Sequence, residues 1–454
     1  MSETDGLPPA RRRWVMTCAL LGVVLVGLDS AIANIALPTI ARDLGATDAA
    51  TIWVVNSYQL AVTVCLLPAA TLGEAWGLKR VYGWGMALFT LASLACASSP
   101  NLPILVSSRL LQGAGGACMA ALGGALVRAV YPRAQLGRGF AAIALAVALS
   151  AALGPTVAAL TLSIARWPWL FLVNVPLGLL AVPLFVAVAP PSQRRYRAFD
   201  WLGALLNAAA FGLIVIGVDG LGGAARGLAG AELAAGLVFG ALLAWQQSHQ
   251  PSPMLPLDLL RLRLFALSMG TSICSYAAQI LAYLSLPFLF QVVMHRSAVA
   301  TGLLVTPWPL AVVVAAPMAG RLSSRYPAAV LGSLGLAVLA SGLLLLATMP
   351  TVPADWDMVW RMGICGIGFG FYQTPNNLTL MTAGPPDRSG AASGMLAVAR
   401  TVGWSLGSAL VALIFGLRGS AGTVTCLEVG AGFAAVGAVI SVSRMRARPA
   451  GQRK

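Results

Sequence analysis

Fourteen apolar blocks, each close to the length of helix that crosses a bilayer core, divide this chain of 454 residues. They fall near 14–36, 51–71, 81–99, 103–127, 139–162, 168–189, 201–219, 227–246, 265–291, 299–320, 328–349, 356–382, 390–416 and 424–443. Only 9% of the residues are charged and 58% are hydrophobic, too few polar side chains to cover a water-facing surface. The blocks lack strand-like alternation and are rich in Gly and Ala, which lets helices approach closely in lipid. The expected fold class is an all-α polytopic membrane protein. The apolar run behind Arg11–Arg13 is too long for a signal peptide and contains Asp29, so it reads as an uncleaved first helix.

The net charge of +15 is not gathered into a patch, so no nucleic-acid partner is expected; small basic clusters lie between the blocks instead. With the N-terminus in the cytoplasm, alternate loops collect 21 Lys and Arg on the cytoplasmic side and six outside, with Arg109 and Arg400 inside spans. That bias predicts fourteen spans with both termini cytoplasmic, in a bacterial inner membrane. The seven cysteines are scattered and there are two histidines, so neither disulfides nor a metal site is expected. No nucleophile elbow, P-loop or paired carboxylates occur, which argues against an enzyme and for no cofactor. Uphill transport by such a chain has to run on an ion gradient.

The turn "LGEAWGLKRVYG" (72–83) has a counterpart in "AGRLSSRYPAAVLG" (319–332), which predicts a duplicated bundle. The expected organisation is 1–189, an N-terminal six-helix bundle; 190–263, a linker and inserted helix pair; 264–443, a C-terminal six-helix bundle; and 444–454, a basic cytoplasmic tail.

Asp29 is the carboxylate that cannot easily reach an interface. Trp14 to Asp29 is about 22 Å of helix rise, in the outer half of a core about 30 Å thick. Arg109 enters from outside to a similar depth, about 9 Å. Such a pair is a candidate proton-loading site; a fixed ion pair or a packing hydrogen bond is the structural alternative. Ser150, Gly154 and Ala158 recur every four residues with Pro155 among them, and Gly403 and Gly407 repeat the theme. They form a candidate hinge face, or ordinary close packing. Gly73, Glu74, Gly77, Lys79 and Arg80 form a candidate cytoplasmic latch, or serve topology alone. Trp53, Tyr58, Gln59, Tyr276, Gln279, Tyr283, Phe371, Tyr372, Gln373 and Asn376 are aromatic or amide residues suited to an organic-cation cavity or to plain packing. Arg400, in mid-span, has to face protein or water. It is compatible with anionic or zwitterionic compounds.

At these residues the chain resembles the major facilitator superfamily, in its fourteen-helix drug:proton antiporter branch. "LDSAIANIALPTI" (28–40) resembles that branch's first-helix signature, with Asp29, Asn34 and Pro38. "GEAWGLKR" (73–80) is similar to the loop motif, with Glu74 where Asp is commonest and Leu78 where a basic residue is usual. "RLLQGAGGA" (109–117) matches the fourth-helix motif, and "LGPTVAA" (153–159) the antiporter motif with Ala158 and Ala159 for glycines. "RWPWLFLVNVPLG" (166–178) resembles the sixth-helix entry. "WVVNSYQLA" (53–61), "LPFLFQ" (286–291), "TPWPLAV" (306–312) and "GFGFYQTPNN" (368–377) resemble the methyl viologen and quaternary-ammonium exporters.

The resemblance implies a 6+2+6 helix arrangement. It also implies multidrug export of bulky, often cationic or amphiphilic compounds, with antibiotic or antiseptic resistance as the outcome. Asp29 and Arg109 would couple protons, and Asn34 and the aromatic and amide residues would line the cavity. The expected partners are a small-molecule substrate, protons and the lipid bilayer, with the chain a monomer. A dedicated exporter of one natural product or metabolite is the alternative, and a non-transporting membrane sensor a more distant one.

Overall fold

The computed structural model describes residues 6–132, 135–191, 199–221, 226–250, 253, 255–350, 353–383 and 389–446, and all regular structure among them is helical. A first group comprises α1 (Pro9–Asp43), α2 (Asp48–Trp76), α3 (Leu78–Ala97), α4 (Leu102–Val130), α5 (Leu136–Ile164), α6 (Pro168–Leu172) and α7 (Asn174–Val188). A hairpin of α8 (Trp201–Gly220) and α9 (Arg226–Ser248) follows. A second group comprises α10 (Arg263–Phe288), α11 (Ala298–Val305), α12 (Pro307–Leu322), α13 (Ala328–Ala347), α14 (Asp355–Thr382), α15 (Ser389–Arg418) and α16 (Gly422–Ser443). Among the described residues, eleven stretches are long and apolar enough to cross a membrane, so the protein is a multi-pass membrane protein. α3 and α14 are not among the eleven, and α15 and α16 fall largely within one 50-residue stretch, Gly394–Ser443. Asp355, Asp357, Arg361 and two asparagines lower the hydropathy of α14.

Side chains cap the starts of α2, α4, α8 and α11. Thr47, Asn101, Asp200 and Ser297 each accept a hydrogen bond from the backbone N–H three residues on, at 2.8–3.2 Å. Two blocks that read as single helices are each divided. The 168–189 block separates into α6 and α7 just before Pro176, and the 299–320 block into α11 and α12 at Pro307. Proline lacks the N–H that would continue the ladder. Gly77, at φ +99°, carries the reversal from α2 directly into α3, a conformation that side chains disfavour.

Within the first group α4 packs on α2 and α3, while α1 packs on α5 and α7. In the second, α14 packs on α12 and α13, and α10 on α15 and α16. α8 lies across the seam, against α2 of one group and α15 of the other. Asn207 Nδ2 donates to Val64 O at 2.9 Å and Trp53 Nε1 to Asp219 Oδ2 at 2.9 Å, tying α8 to α2. The small-residue faces seal helices within each group. A Cβ on Gly407 would lie 2.7 Å from Ala277 O of α10, and Ser150 stands against Gly27 of α1.

The two groups meet along α5 with α11 and α12, and along α2 with α15. Thr156 and Thr306 hydroxyls are 3.0 Å apart, as are those of Thr63 and Ser405. Gln291 Nε2 donates to Ile35 O at 2.8 Å. At this end one apolar core runs through both groups, taking in Ile32–Ile40, Ile52–Val55, Phe171, Leu284–Phe290, Trp308, Met358 and Phe415. At the other end there are two cores. One holds Val15, Leu25, Tyr82, Phe89 and Phe185, and the other holds Phe265, Met269, Leu380, Met395 and Ala399. Ala397 and Val398 of α15 pack against the first of these two cores, so α15 touches both groups at this end as well.

A close backbone contact between helices offers a test. A Cβ on Gly115 would lie 2.6 Å from both Gly85 O and Phe89 N of α3, whereas one on Gly363 meets nothing within 4 Å. Gly115→Leu is expected to destabilise the fold by about 1–3 kcal/mol or more, as overpacking does. Gly363→Ala is expected to leave the melting temperature unchanged or raise it slightly. Thermal unfolding of the detergent-solubilised variants checks both.

Candidate functional site

Asp29 lies on α1 with its side chain 1% exposed, and Arg109 on α4 is equally sealed. Arg109 Nη1 donates to Asp29 Oδ2 at 2.5 Å and to Gln112 Oε1 at 2.6 Å, and its Nε donates to Val54 O of α2 at 3.0 Å. The other carboxylate oxygen is held from two sides. Gln112 Nε2 donates to Oδ1 at 2.8 Å and Asn174 Nδ2 donates to it at 3.0 Å. Gln112 also reaches Ser93 Oγ of α3 at 2.8 Å. The guanidinium lies over the Tyr58 ring, 4.3 Å from its centroid, and 5.5 Å from that of Phe171. Three residues, Arg109, Gln112 and Asn174, thus fix one carboxylate with charge-assisted bonds away from water.

The sequence supplies this geometry locally. Arg109 and Gln112 are three residues apart and share a helix face. Gly113, whose Cβ would lie 2.5 Å from Tyr58 O, lets α4 come close enough to α2 for Arg109 to reach Val54 O. The break before α7 begins that helix at Asn174, which reaches Asp29.

The pair singled out in the sequence, Asp29 and Arg109, is in direct contact. Gln112, Asn174 and Ser93 went unremarked, although the first two lie inside the quoted motifs 109–117 and 166–178. An amide three residues from a buried arginine on the same face is the signal that marks Gln112. Of the cavity candidates, Tyr276, Gln279, Gln373 and Arg400 gather around Trp404. Gln59 is buried on α2, and Asn34 is buried on α1 with its carbonyl oxygen unpartnered. Tyr283 packs edge-on against Trp308 at 5.0 Å, and Phe371 is half-buried on α14. Trp53 turns instead to Asp219 of α8.

Asn376 and Tyr372 lie in another polar cluster. Asn376 Oδ1 accepts from Arg444 Nη1 at 2.6 Å, and Arg444 also donates to Ser268 Oγ at 3.1 Å and Ser441 Oγ at 2.5 Å. Tyr372 OH is 3.2 Å from Ser272 Oγ. Arg444 therefore does not belong to a solvated tail beginning at 444. It is 3% exposed and drawn into the second group by neutral acceptors that α10, α14 and α16 present. At the turn after α2, Gly73 packs on Leu122 and Gly77 makes the reversal, while Lys79 and Arg80 open α3. Glu74 and Arg80 are exposed there. In the small-residue faces Ser150, Gly154, Pro155, Ala158, Gly403 and Gly407 are all buried.

Membrane-length helices in two groups, with an ion pair sealed between helices of the first, fit the class of helical membrane transporters. The chain belongs to the Major Facilitator Superfamily, whose model matches residues 19–408. It is 47% identical over 446 residues to "Uncharacterized transporter YebQ" of Escherichia coli (strain K12), covering 98% of each chain. It is 34% identical over 399 residues to "Multidrug resistance protein Stp" of Mycobacterium tuberculosis (strain ATCC 25618 / H37Rv), covering 86% of this chain and 73% of that one. A crystal structure of a POT family transporter in complex with a thioalcohol-conjugated peptide superposes with a TM-score of 0.72 at 14% identity. It covers 95% of this chain and 96% of that one, which shows the fold.

Breaking a buried pair from one side leaves the other charge uncompensated, at a cost of about 3–5 kcal/mol. Asp29→Asn is expected to lower thermal stability by that order. Asp29→Asn combined with Arg109→Gln is expected to recover part of the loss. The melting temperatures of the two single variants and the double variant in detergent measure the coupling.

Proposed function

We propose that this protein is a proton-coupled exporter of bulky amphiphilic organic compounds, of the drug:proton antiporter branch, working by alternating access. The observation that carries the proposal is the sealed Asp29–Arg109 pair in a two-group bundle with one core shared by both groups at one end and two cores at the other. The similarity to a protein named for multidrug resistance supports a broad range of organic cargo.

The chain crosses the membrane fourteen times in this reading. Gly419, at φ +59°, and a short 3-10 turn separate α15 from α16 within the 50-residue apolar stretch. Dividing that stretch and adding α3 and α14, which pack along crossing helices, brings eleven to fourteen. The halves are two six-helix bundles, with α8 and α9 inserted between them. The basic bias of alternate loops then puts both termini in the cytoplasm of a bacterial cell. Arg296 pairs with Asp355 at 2.8 Å and Arg361 with Asp357 at 3.0 Å on the opposite face, so those arginines add little positive charge there. The divided cores face the cytoplasm, and cargo enters from that side.

The coupling step follows from charge. With the pair closed, Asp29 is matched by Arg109 and needs no other cation. Opening to the outside requires the helices that hold it to move, and a carboxylate parted from its arginine in a low-dielectric interior needs a replacement positive charge. A proton from outside supplies it. Closing the pair again returns that proton to the cytoplasm, so each cycle exchanges a proton for cargo. Asp29 carries the proton, and Arg109 takes over its charge. Gln112 and Asn174 keep the carboxylate in register for that exchange. No cofactor enters the cycle.

Energised inverted vesicles with an internal pH reporter test this, using cationic, zwitterionic and anionic dyes. The wild type is expected to accumulate dye while protons leave. Asp29→Asn/Arg109→Gln, with both charges removed together, is expected to insert normally and lose proton-linked flux more than tenfold. Coupled flux at the wild-type rate in that variant, or dye movement with no proton exchange in the wild type, would refute the coupling role.

A further inference from the structure

Arg109, Arg444 and Arg400 differ in how their charge is met. Arg109 has a carboxylate. Arg444 has no acid among the described residues, but two serine hydroxyls and an amide carbonyl accept its hydrogen bonds. Arg400, near the middle of α15, has neither. Among the described residues it makes no ion pair; the Nε of Arg400 and that of Arg444 are both buried without an acceptor, but Arg444 has acceptors at Nη1 and Nη2. It is only half-buried, and its guanidinium stands over the Trp404 ring, 5.3 Å from the centroid.

Its surroundings lie at the seam between the two groups. α15 forms the seam with α2, where Ser405 meets Thr63, and Arg400 lies within electrostatic reach of Tyr58 on the other side of that seam. Trp404 is partly exposed and meets Tyr276 edge-to-face at 5.8 Å. Trp404 Nε1 donates to Gln279 Oε1 at 3.3 Å, and Gln373 Nε2 to Tyr276 OH at 3.2 Å. Both aromatic rings are thus held in fixed orientations beside an arginine with free donors.

An uncompensated arginine at membrane depth costs several kcal/mol, and it persists where a counter-ion visits. Its planar fork matches a carboxylate, and the neighbouring rings match a flat aromatic body. The acid at this level, Asp29, is sealed and already holds three donors, so it offers a cationic cargo nothing in this state.

We infer that Arg400 and Trp404 form the binding site for an aromatic organic anion, so the preferred cargo carries a carboxylate-type group rather than the quaternary cation implied by sequence resemblance. This deepens the export reading and rests on it for the word cargo; the binding site itself stands on the geometry. The charge complementarity works in one direction. A compound bearing both signs keeps its anionic end at Arg400, and a purely cationic one is repelled there.

The test is made on the purified full-length protein in detergent, with two dyes that share one xanthene ring system. Carboxyfluorescein is the anion and rhodamine 123 the cation. Fluorescence polarisation is expected to show carboxyfluorescein binding more tightly than rhodamine 123. Arg400→Gln is expected to weaken carboxyfluorescein at least tenfold, leave rhodamine 123 unchanged or tighter, and keep the wild-type melting temperature. Arg400→Lys is expected to restore most of the anion binding. Tighter binding of rhodamine 123 than of carboxyfluorescein, equal weakening of both dyes in Arg400→Gln, or no carboxyfluorescein binding to the wild type would overturn the assignment. Proton-linked flux of the same dyes in vesicles is read separately. Binding as expected without flux sinks the export reading and leaves the anion site standing; flux of rhodamine 123 alone does the reverse.

Discussion

A carboxylate held between helices and away from water has to be matched by a positive charge, and Asp29 is matched by Arg109. Much of the first helical group is organised around that requirement. α4 brings both Arg109 and Gln112 to the carboxylate from one face. α2 contributes a backbone carbonyl and the Tyr58 ring, α3 contributes Ser93, and α7 begins with Asn174. Close approach of α4 to its neighbours is a precondition, which is why glycines stand where the backbones touch. The pair is therefore a charged tie that joins helices of this half and one in which a proton is chemically suited to replace the arginine.

The same rule of compensation organises the rest of the molecule. At the fused end, arginines on α14 and after α10 are met by the acids of the α14 first turn. Arg444 is met by neutral oxygens from three helices. α8 docks on α2 through its Asn207 amide, which donates to Val64 O, and its Asp219 carboxylate, which accepts from the Trp53 indole, where lipid would offer neither partner. Arg400 departs from the rule, and its position beside Trp404 at the seam makes it a place for an external counter-ion. Proline and glycine set where helices stop: the breaks before Pro176 and at Pro307 free the chain to turn Asn174 and Thr306 toward partners.

How much was legible in the sequence depended on the range of the physics. Block length and apolarity announce membrane helices, because lipid forces each segment to satisfy its own backbone. The depth of Asp29 and Arg109 followed from helix rise counted from each end, and so did the expectation that they meet. Gln112 shares a helix face with Arg109 and was within reach of the same reasoning. Asn174 was not, because its place depends on a helix break and on α7 packing against α1. Nor did composition indicate that Trp53 would turn to Asp219 of α8, or that Arg444 would be pulled out of an apparent tail. Each of those outcomes pairs residues more than sixty positions apart.

The sequence by itself thus determined the helical class, the membrane and the one acid that needs a partner, since hydropathy and helix geometry act over a few turns. Only the tertiary structure decided which polar groups close around Asp29, at which end the two groups share a core, and that Arg400, unlike Arg109 and Arg444, meets neither an acid nor a hydrogen-bond acceptor among the described residues. Those are sums over helices distant in the chain. Charge and hydrogen bonding act across the space between them, whatever the separation in sequence.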